Sequence, residues 1–139
     1  MPNINKWSNL QVKANYGKYP WIDDYCLAMK GVTKGVQPAW NHATRYWLRD
    51  KMFAMVGVDS ESETIITLKL DPSHGLFLRE QHKDITAGYH MNKVHWNSLY
   101  LEGDVPDDIV KTMLAGAYEV VLKSFSKRTQ EEIKNPKDK

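Results

Sequence analysis

Helices flanking a set of antiparallel strands are the architecture that this sequence predicts, and two patterns point to it. Val110, Met113, Leu114, Ala117, Val121 and Phe125 recur at the 3.6-residue period of an amphipathic helix. Residues 64–70 alternate instead, with Ile66, Leu68 and Leu70 on one face and Thr67 and Lys69 on the other, as a half-buried strand does.

Taken in order, residues 1–18 show no clean period but carry Trp7, Leu10, Val12 and Tyr16, and read as a partly docked extension. A first helix is predicted over about 20–30. Pro20 suits its opening position, Asp23 and Asp24 suit the positive end of its dipole, and Ile22, Tyr25, Cys26 and Met29 recur at helical spacing up to Gly31. From Val36 to Leu70, short segments rich in β-branched and aromatic residues are broken by Thr33-Lys34-Gly35, Arg49-Asp50-Lys51 and Asp59-Ser60-Glu61-Ser62, which predicts hairpins. Pro38 assigns residues 36–41 to an edge or an irregular stretch. In Met52-Phe53-Ala54-Met55-Val56 both faces are apolar, the mark of a central strand covered on both sides or lying near a binding surface. Asp71-Pro72 is a cap followed by a first-position proline, opening a short helix to about His82 with Leu76, Phe77 and Leu78 inward. Ser98-Leu99-Tyr100-Leu101 alternates as the last strand, and Asp104-Val105-Pro106-Asp107-Asp108 starts the final helix. Beyond Lys127 there is almost nothing to bury, so residues 128–139 are expected to fray.

The chain has 139 residues, 42% hydrophobic and 26% charged, which suits one soluble globular domain with one core. No apolar run reaches the roughly 20 residues that a membrane helix needs, and Met1-Pro2-Asn3-Ile4-Asn5-Lys6 lacks the apolar stretch of a signal peptide, so a cytoplasmic location and no membrane partner are expected. Cys26 is the only cysteine, which excludes an internal disulfide and a cysteine-based zinc site, and its helical position reads as a small buried hydrophobe. The net charge of +2 resides in the tail: residues 123–139 hold six Lys or Arg against three Asp or Glu, leaving the first 122 residues at 13 minus 14. Electrostatic attraction by the folded body therefore has to come from a local patch.

The sequence offers no catalytic motif. It has no Gly-x-Ser-x-Gly elbow, phosphate-cradling glycine loop or dinucleotide fingerprint, and the adjacent carboxylates Asp23-Asp24 and Asp107-Asp108 are accounted for by helix dipoles. His90 and His95 are spaced by five, which sends the rings to opposite faces of a strand or about 140° apart on a helix, so neither a metal nor a cofactor is expected. The segment with most recognition chemistry is Gly88-Tyr89-His90-Met91-Asn92-Lys93-Val94-His95-Trp96-Asn97, where a loop enters a strand. Lys93 and His95 alternate there with Tyr89 and Trp96, and Arg45, Arg49, Lys51 and Lys69 lie on or beside the predicted hairpins. Such cations can meet phosphates while amides and aromatics approach bases or sugars.

Tyr25-Cys26-Leu27 with Lys30-Gly31-Val32-Thr33, Lys51-Met52-Phe53-Ala54, Leu68-Lys69-Leu70-Asp71-Pro72 and above all the Gly88–Lys93 run with His95-Trp96-Asn97 make the chain resemble the MmcQ/YjbR family of small bacterial proteins, from about Pro20 to Lys127. The resemblance implies an α+β fold, an antiparallel sheet with helices packed on it, similar to the bacterial frataxin homologue CyaY, with residues 1–19 as an N-terminal extension and 128–139 as a flexible tail. It also implies DNA binding through a double-wing arrangement of the sheet, although Arg49-Asp50-Lys51 lacks the glycines expected at the first wing. Frataxin-like iron binding would need an acidic ridge on the first helix, and Asp23 and Asp24 are the only carboxylates there. The resulting expectation is a non-enzymatic cytoplasmic module that binds duplex DNA through Arg45, Arg49, Lys51, Lys69, Lys93 and His95, with Asn92, Trp96 and Asn97 shaping the surface. The alternative is a small-ligand or protein-partner module in which Tyr89, His90, Asn92 and Trp96 line a pocket at residues 88–97.

Overall fold

The computed structural model describes residues 15–37, 43–88 and 92–136. It is α+β. Six strands form one antiparallel sheet: β1 (Val32–Gln37), β2 (Ala43–Leu48), β3 (Lys51–Val58), β4 (Thr64–Lys69), β5 (Ile85–Ala87) and β6 (Trp96–Tyr100), in the order β1-β2-β3-β4-β6-β5. Four helices accompany them: α1 (Ile22–Ala28), α2 (Pro72–Gln81), α3 (Asp107–Leu122) and α4 (Lys127–Lys134).

The first four strands are a meander. The turn between β2 and β3 is closed by Leu48 opposite Lys51, and its first residue, Arg49, sits at φ 58° with no glycine to relieve the left-handed backbone. Thr33-Lys34-Gly35 was expected to break the chain; it lies instead inside β1, paired along Trp47-Tyr46-Arg45 of β2. Local turn composition is overridden there by an available strand edge. The Pro38 segment lies outside the described residues. After β4 the chain crosses through α2, adds the three-residue edge strand β5, and returns as β6 between β5 and β4.

Strand β3 carries an irregularity that fixes which side chains face which way. Tyr46 pairs with Ala54 but Trp47 pairs with Met52, so Phe53 is the extra residue of a β-bulge. Phe53 and Ala54 consequently both point toward the helices, and Phe53 packs between Tyr46 and Tyr118 at centroid distances of 6.4 and 6.0 Å. The register change places Met52 and Met55 together on the opposite face.

All four helices bury side chains in one cluster with strand residues of a single face. Ile22 and Cys26 of α1, Leu78 of α2, the α3 stripe from Val110 to Leu122 and Ile133 of α4 meet Tyr46, Leu48, Phe53, Ala54, Val56, Ile66, Leu68 and Leu99. Among the described residues no helix covers the other face.

Two helices differ from the sequence expectation. In α2, capped by Asp71, which accepts from the Ser73 amide at 3.2 Å, Leu76 and Phe77 point outward at 51% and 58% exposure. The inward side is Gly75 and Leu78: a Cβ on Gly75 would lie 2.8 Å from the Asn97 amide, so the missing side chain is what lets the helix rest on β6. The expected fraying after Lys127 does not hold for residues 127–134, which form α4. Ser126 caps it by accepting from the Thr129 amide at 3.1 Å, and one apolar residue, Ile133, anchors it over Gly31 and Leu48.

Two stability measurements check these features. Ile133→Ala is expected to cost about 2–5 kcal/mol in urea unfolding, as for a docked aliphatic residue, whereas a frayed tail would give a change within about 0.5 kcal/mol. Arg49→Gly is expected to stabilise by about 0.5–1 kcal/mol through relief of the left-handed backbone, outweighing the exposed 3.6 Å ion pair from Arg49 to Glu132.

Candidate functional site

The face of the sheet that no described helix covers, the helix-free face, is built from three rows of side chains read from the strand register, one of them Ala43, Gly57, Ile65 and Tyr100. A second row runs Gly35, Arg45, Met55, Thr67, Ser98, Thr86. The third runs Thr33, Trp47, Met52 and then, across the bulge, the paired Lys69 and Trp96. At the centre Thr67 and Ser98 are buried and share a hydrogen bond of 2.9 Å between their hydroxyls. The large residues around them, Arg45, Trp47, Met52, Met55, Lys69 and Trp96, are half-buried. Arg45 lies over the Trp47 indole at 5.6 Å, a stacked cation–aromatic pair two residues apart on one strand face. No Asp or Glu occupies a described strand position of this face; the nearest carboxylate in a printed contact is Asp59 in the β3–β4 loop, which accepts from the Tyr100 hydroxyl at 3.3 Å.

The residues nominated from sequence divide into three groups. Arg45, Lys69 and Trp96 share the helix-free face. Arg49 and Lys51 do not: Arg49 reaches Glu132 of α4, and Lys51 turns to the helical side, donating to Ser124 Oγ at 2.8 Å with its ammonium 4.5 Å from the Phe125 ring. The bulge at Phe53 causes this, because strict alternation from Met55 would have put Lys51 beside the other cations. The remaining residues build the 92–97 turn. Asn92 Oδ1 accepts from the Val94 and His95 amides at 2.8 and 3.3 Å, its carbonyl accepts from the Trp96 amide at 2.9 Å, and Lys93 Nζ donates to the Gly88 carbonyl at 3.0 Å. The His95 carbonyl accepts from the Leu70 amide at 2.7 Å, so that residue ties the turn to the start of α2. Asn97 is fully buried, accepting from Arg79 and donating to the His95 carbonyl at 3.3 Å. Tyr89 and His90 lie outside the described residues.

Sequence reading missed Trp47, Met52 and Met55 as members of the face. The Arg45-x-Trp47 spacing was available as a signal; the placement of Met52 was not, since it depends on the bulge. It also missed a polar cluster on the helical side. Asp23 Oδ1 accepts from the Tyr46 hydroxyl at 2.7 Å, from Tyr16 at 3.3 Å and from Lys34 Nζ at 3.0 Å. Burial alone would raise the Asp23 pKa, but the Tyr46 hydroxyl, Lys34 and the Tyr16 hydroxyl together hold it below the ordinary carboxylate value. Burial pushes the Tyr16 phenol up to about 12 and the Cys26 thiol up to about 12, Asp23 adding to both. The contacts of Asp23 with Tyr16, Lys34 and Tyr46 tie α1 and the segment before it to β1 and β2, with Asp23 ionised and Tyr16 and Cys26 protonated at neutral pH. Among the described residues no group of three or more His, Cys, Asp or Glu is arranged to hold a metal ion, and no helix is long and apolar enough to cross a membrane.

The fold defines an α+β protein with a single antiparallel sheet that, among the described residues, is helix-packed on one side. The YjbR family model matches residues 27–120, and the chain belongs to the YjbR family. It is 35% identical over 95 residues to the uncharacterized protein YjbR of Escherichia coli K12, spanning 68% of this chain and 79% of that protein. It is 28% identical over 80 residues to the uncharacterized protein YbdF of Escherichia coli O157:H7, spanning 58% and 66%. Among solved structures, Deinococcus radiodurans protein DR2400, with a DUF419 domain, matches with a TM-score of 0.73 at 27% identity over 85% of this chain and 88% of that one. A Pseudomonas syringae protein shares the fold, with a TM-score of 0.62 at 21% identity over 73% and 96% of the two chains.

The Asp23 cluster generates a pH prediction. Because the folded Asp23 pKa lies below its ordinary 3.8, its stabilisation is present above that value and is lost as pH falls through the folded pKa. The melting temperature of the wild type should therefore fall more steeply than that of Asp23→Asn between about pH 5 and about pH 2. Tyr16 has the opposite sign, its raised pKa giving stability present below 10 and lost as pH rises toward about 12. Parallel acid profiles for the two proteins would remove Asp23 as a stabilising group.

Proposed function

We propose that this protein is a non-enzymatic nucleic-acid-binding module whose binding surface is the helix-free face of the sheet. The observation that carries the reading is the company Arg45 and Lys69 keep: two cations and two indoles, Trp47 and Trp96, share a face with no carboxylate at its described strand positions. Cations on such a face neutralise phosphates, and the indoles and the thioethers of Met52 and Met55 supply adaptable apolar contact to sugars and bases. The footprint is smaller than six cations. Lys51 and Arg49 are engaged with Ser124 and Glu132, and Lys93 donates to the Gly88 carbonyl.

Fluorescence anisotropy with a labelled oligonucleotide at several salt concentrations tests the reading. A phosphate contact at Lys69 gives a log–log slope of about −0.7 for a single strand or about −0.9 for a duplex. Lys69→Ala is expected to lower the slope magnitude by about 0.7–0.9, whereas Lys51→Ala leaves it unchanged while loosening the helical side. No binding of any oligonucleotide at low salt, or a slope change from Lys51 and none from Lys69, would contradict the assignment.

A further inference from the structure

We infer that α1, with the residues that lead into it, is a flap that opens from β1 and β2 while the rest of the domain stays folded, and that the Asp23 carboxylate is the latch that keeps it shut. The inference goes beyond the nucleic-acid reading and is independent of it, because the flap lies on the helical side of the sheet.

As a helix the segment is weakly built. Its seven helical residues fall short of the length at which a helix holds in water by itself. Trp21 at the N-cap supplies no side-chain hydrogen bond, no basic residue occupies the last turn, and Leu27 is exposed. The buried anchors are Ile22 and Cys26, with Tyr19 just ahead of them, whereas α3 buries seven side chains along sixteen residues. Left-handed glycines bracket the segment, Gly17 at φ 56° and Gly31 at φ 83°. Glycine adopts such backbone without steric cost, and hinge motions are absorbed at a few positions of this kind beside the moving element.

With so little apolar contact, polar bonds decide how often the segment opens. Three donors from outside it converge on Asp23 Oδ1: the Tyr46 hydroxyl of β2 at 2.7 Å, Lys34 Nζ of β1 at 3.0 Å and the Tyr16 hydroxyl at 3.3 Å. Tyr46 is fully buried, so its bond to the carboxylate has no water to replace it; the Lys34 pair is partly exposed and counts for less. Two other bonds pin the ends of the segment beside the glycines, from the Tyr19 hydroxyl to the Val105 carbonyl at 2.8 Å and from the Tyr118 hydroxyl to the Lys30 carbonyl at 2.6 Å. They mark the pivots. Among the described residues, Asp23 is then the polar side chain that ties the middle of the segment to the sheet.

Opening uncovers Cys26, the only cysteine of the chain. Its thiol is pushed up to about 12 while buried and returns to the ordinary, reactive range once exposed, so Ellman's reagent reads the flap directly. In a series of urea concentrations well below the unfolding midpoint, Cys26 should be modified faster than global unfolding permits and at a nearly constant rate. Asp23→Ala and Tyr46→Phe should each speed modification by about 10- to 150-fold, the effect of losing a hydrogen bond to a charged group. Ile85→Ala, which weakens the same core at the opposite edge of the sheet, should leave the low-urea rate unchanged. Modification at the rate of global unfolding alone, with Ile85→Ala accelerating it as much as Tyr46→Phe does, would overturn the flap. Wild-type rates in both Asp23→Ala and Tyr46→Phe would overturn the latch.

Discussion

The packing of α3 against the centre of the sheet is the interaction on which the rest of the structure depends. Val110, Met113, Leu114, Ala117, Val121 and Leu122 are each almost or wholly removed from water on one side of β2, β3 and β4, and a stripe that continuous has to be matched by apolar strand residues of one parity. Once Tyr46, Ala54, Val56, Ile66, Leu68 and Leu99 are committed to α3, the alternation of the strands commits their neighbours to the opposite face. The face formed by Arg45, Trp47, Met55, Thr67, Lys69 and Trp96 is thus a consequence of where α3 lies. The remaining helices reinforce this one-sidedness: α1, α2 and α4 each add one or two buried anchors to the same cluster.

The one departure from alternation among the described strands decides which side chains share the face opposite α3. The bulge at Phe53 gives α3 a second aromatic ring to pack on, T-shaped against Tyr118, and in doing so exchanges the faces of Met52 and Lys51. One extra residue therefore moves a cation from the helix-free face into a contact with Ser124 and Phe125, and puts a flexible thioether in its place. Bulges near binding surfaces re-aim side chains in this manner.

How much of this was legible in the sequence follows from the same physics. The α3 stripe and the Asp71-Pro72 cap are short-range patterns that the structure reproduces; β4 keeps the expected facing of Ile66 and Leu68, but it is not half-buried, because Ile65 and Thr67 on its other face are buried as well. The bulge is set by cross-strand register and leaves no mark in composition, so Lys51 could not be placed from sequence. Strand β5 is too short to show a period. Helix α4 has one apolar anchor, Ile133, among Lys, Arg, Gln and Glu, and reads as a solvated tail until Gly31 and Leu48 are seen beneath it. In α2 the larger hydrophobes Leu76 and Phe77 mislead, because the helix approaches β6 through Gly75, a residue that no hydrophobicity pattern marks as inward. The 92–97 cluster was correctly located where a loop enters a strand, but most of its polar groups are used within the protein: Asn92 for the turn, Lys93 for the Gly88 carbonyl, Asn97 for Arg79. Trp96 is the residue of that cluster that reaches the helix-free face.

The central claim is that binding and folding use opposite faces of one sheet. Side-chain NMR during titration with an oligonucleotide tests it residue by residue, because indole N–H and methionine methyl signals occur on both sides. The account predicts that Trp47, Trp96, Met52 and Met55 shift together and saturably, while Trp21 beside α1 and Met113 inside α3 stay fixed. Shifts confined to Trp21 and Met113, with Trp47 and Met55 unmoved, would contradict it and place the functional surface among the helices.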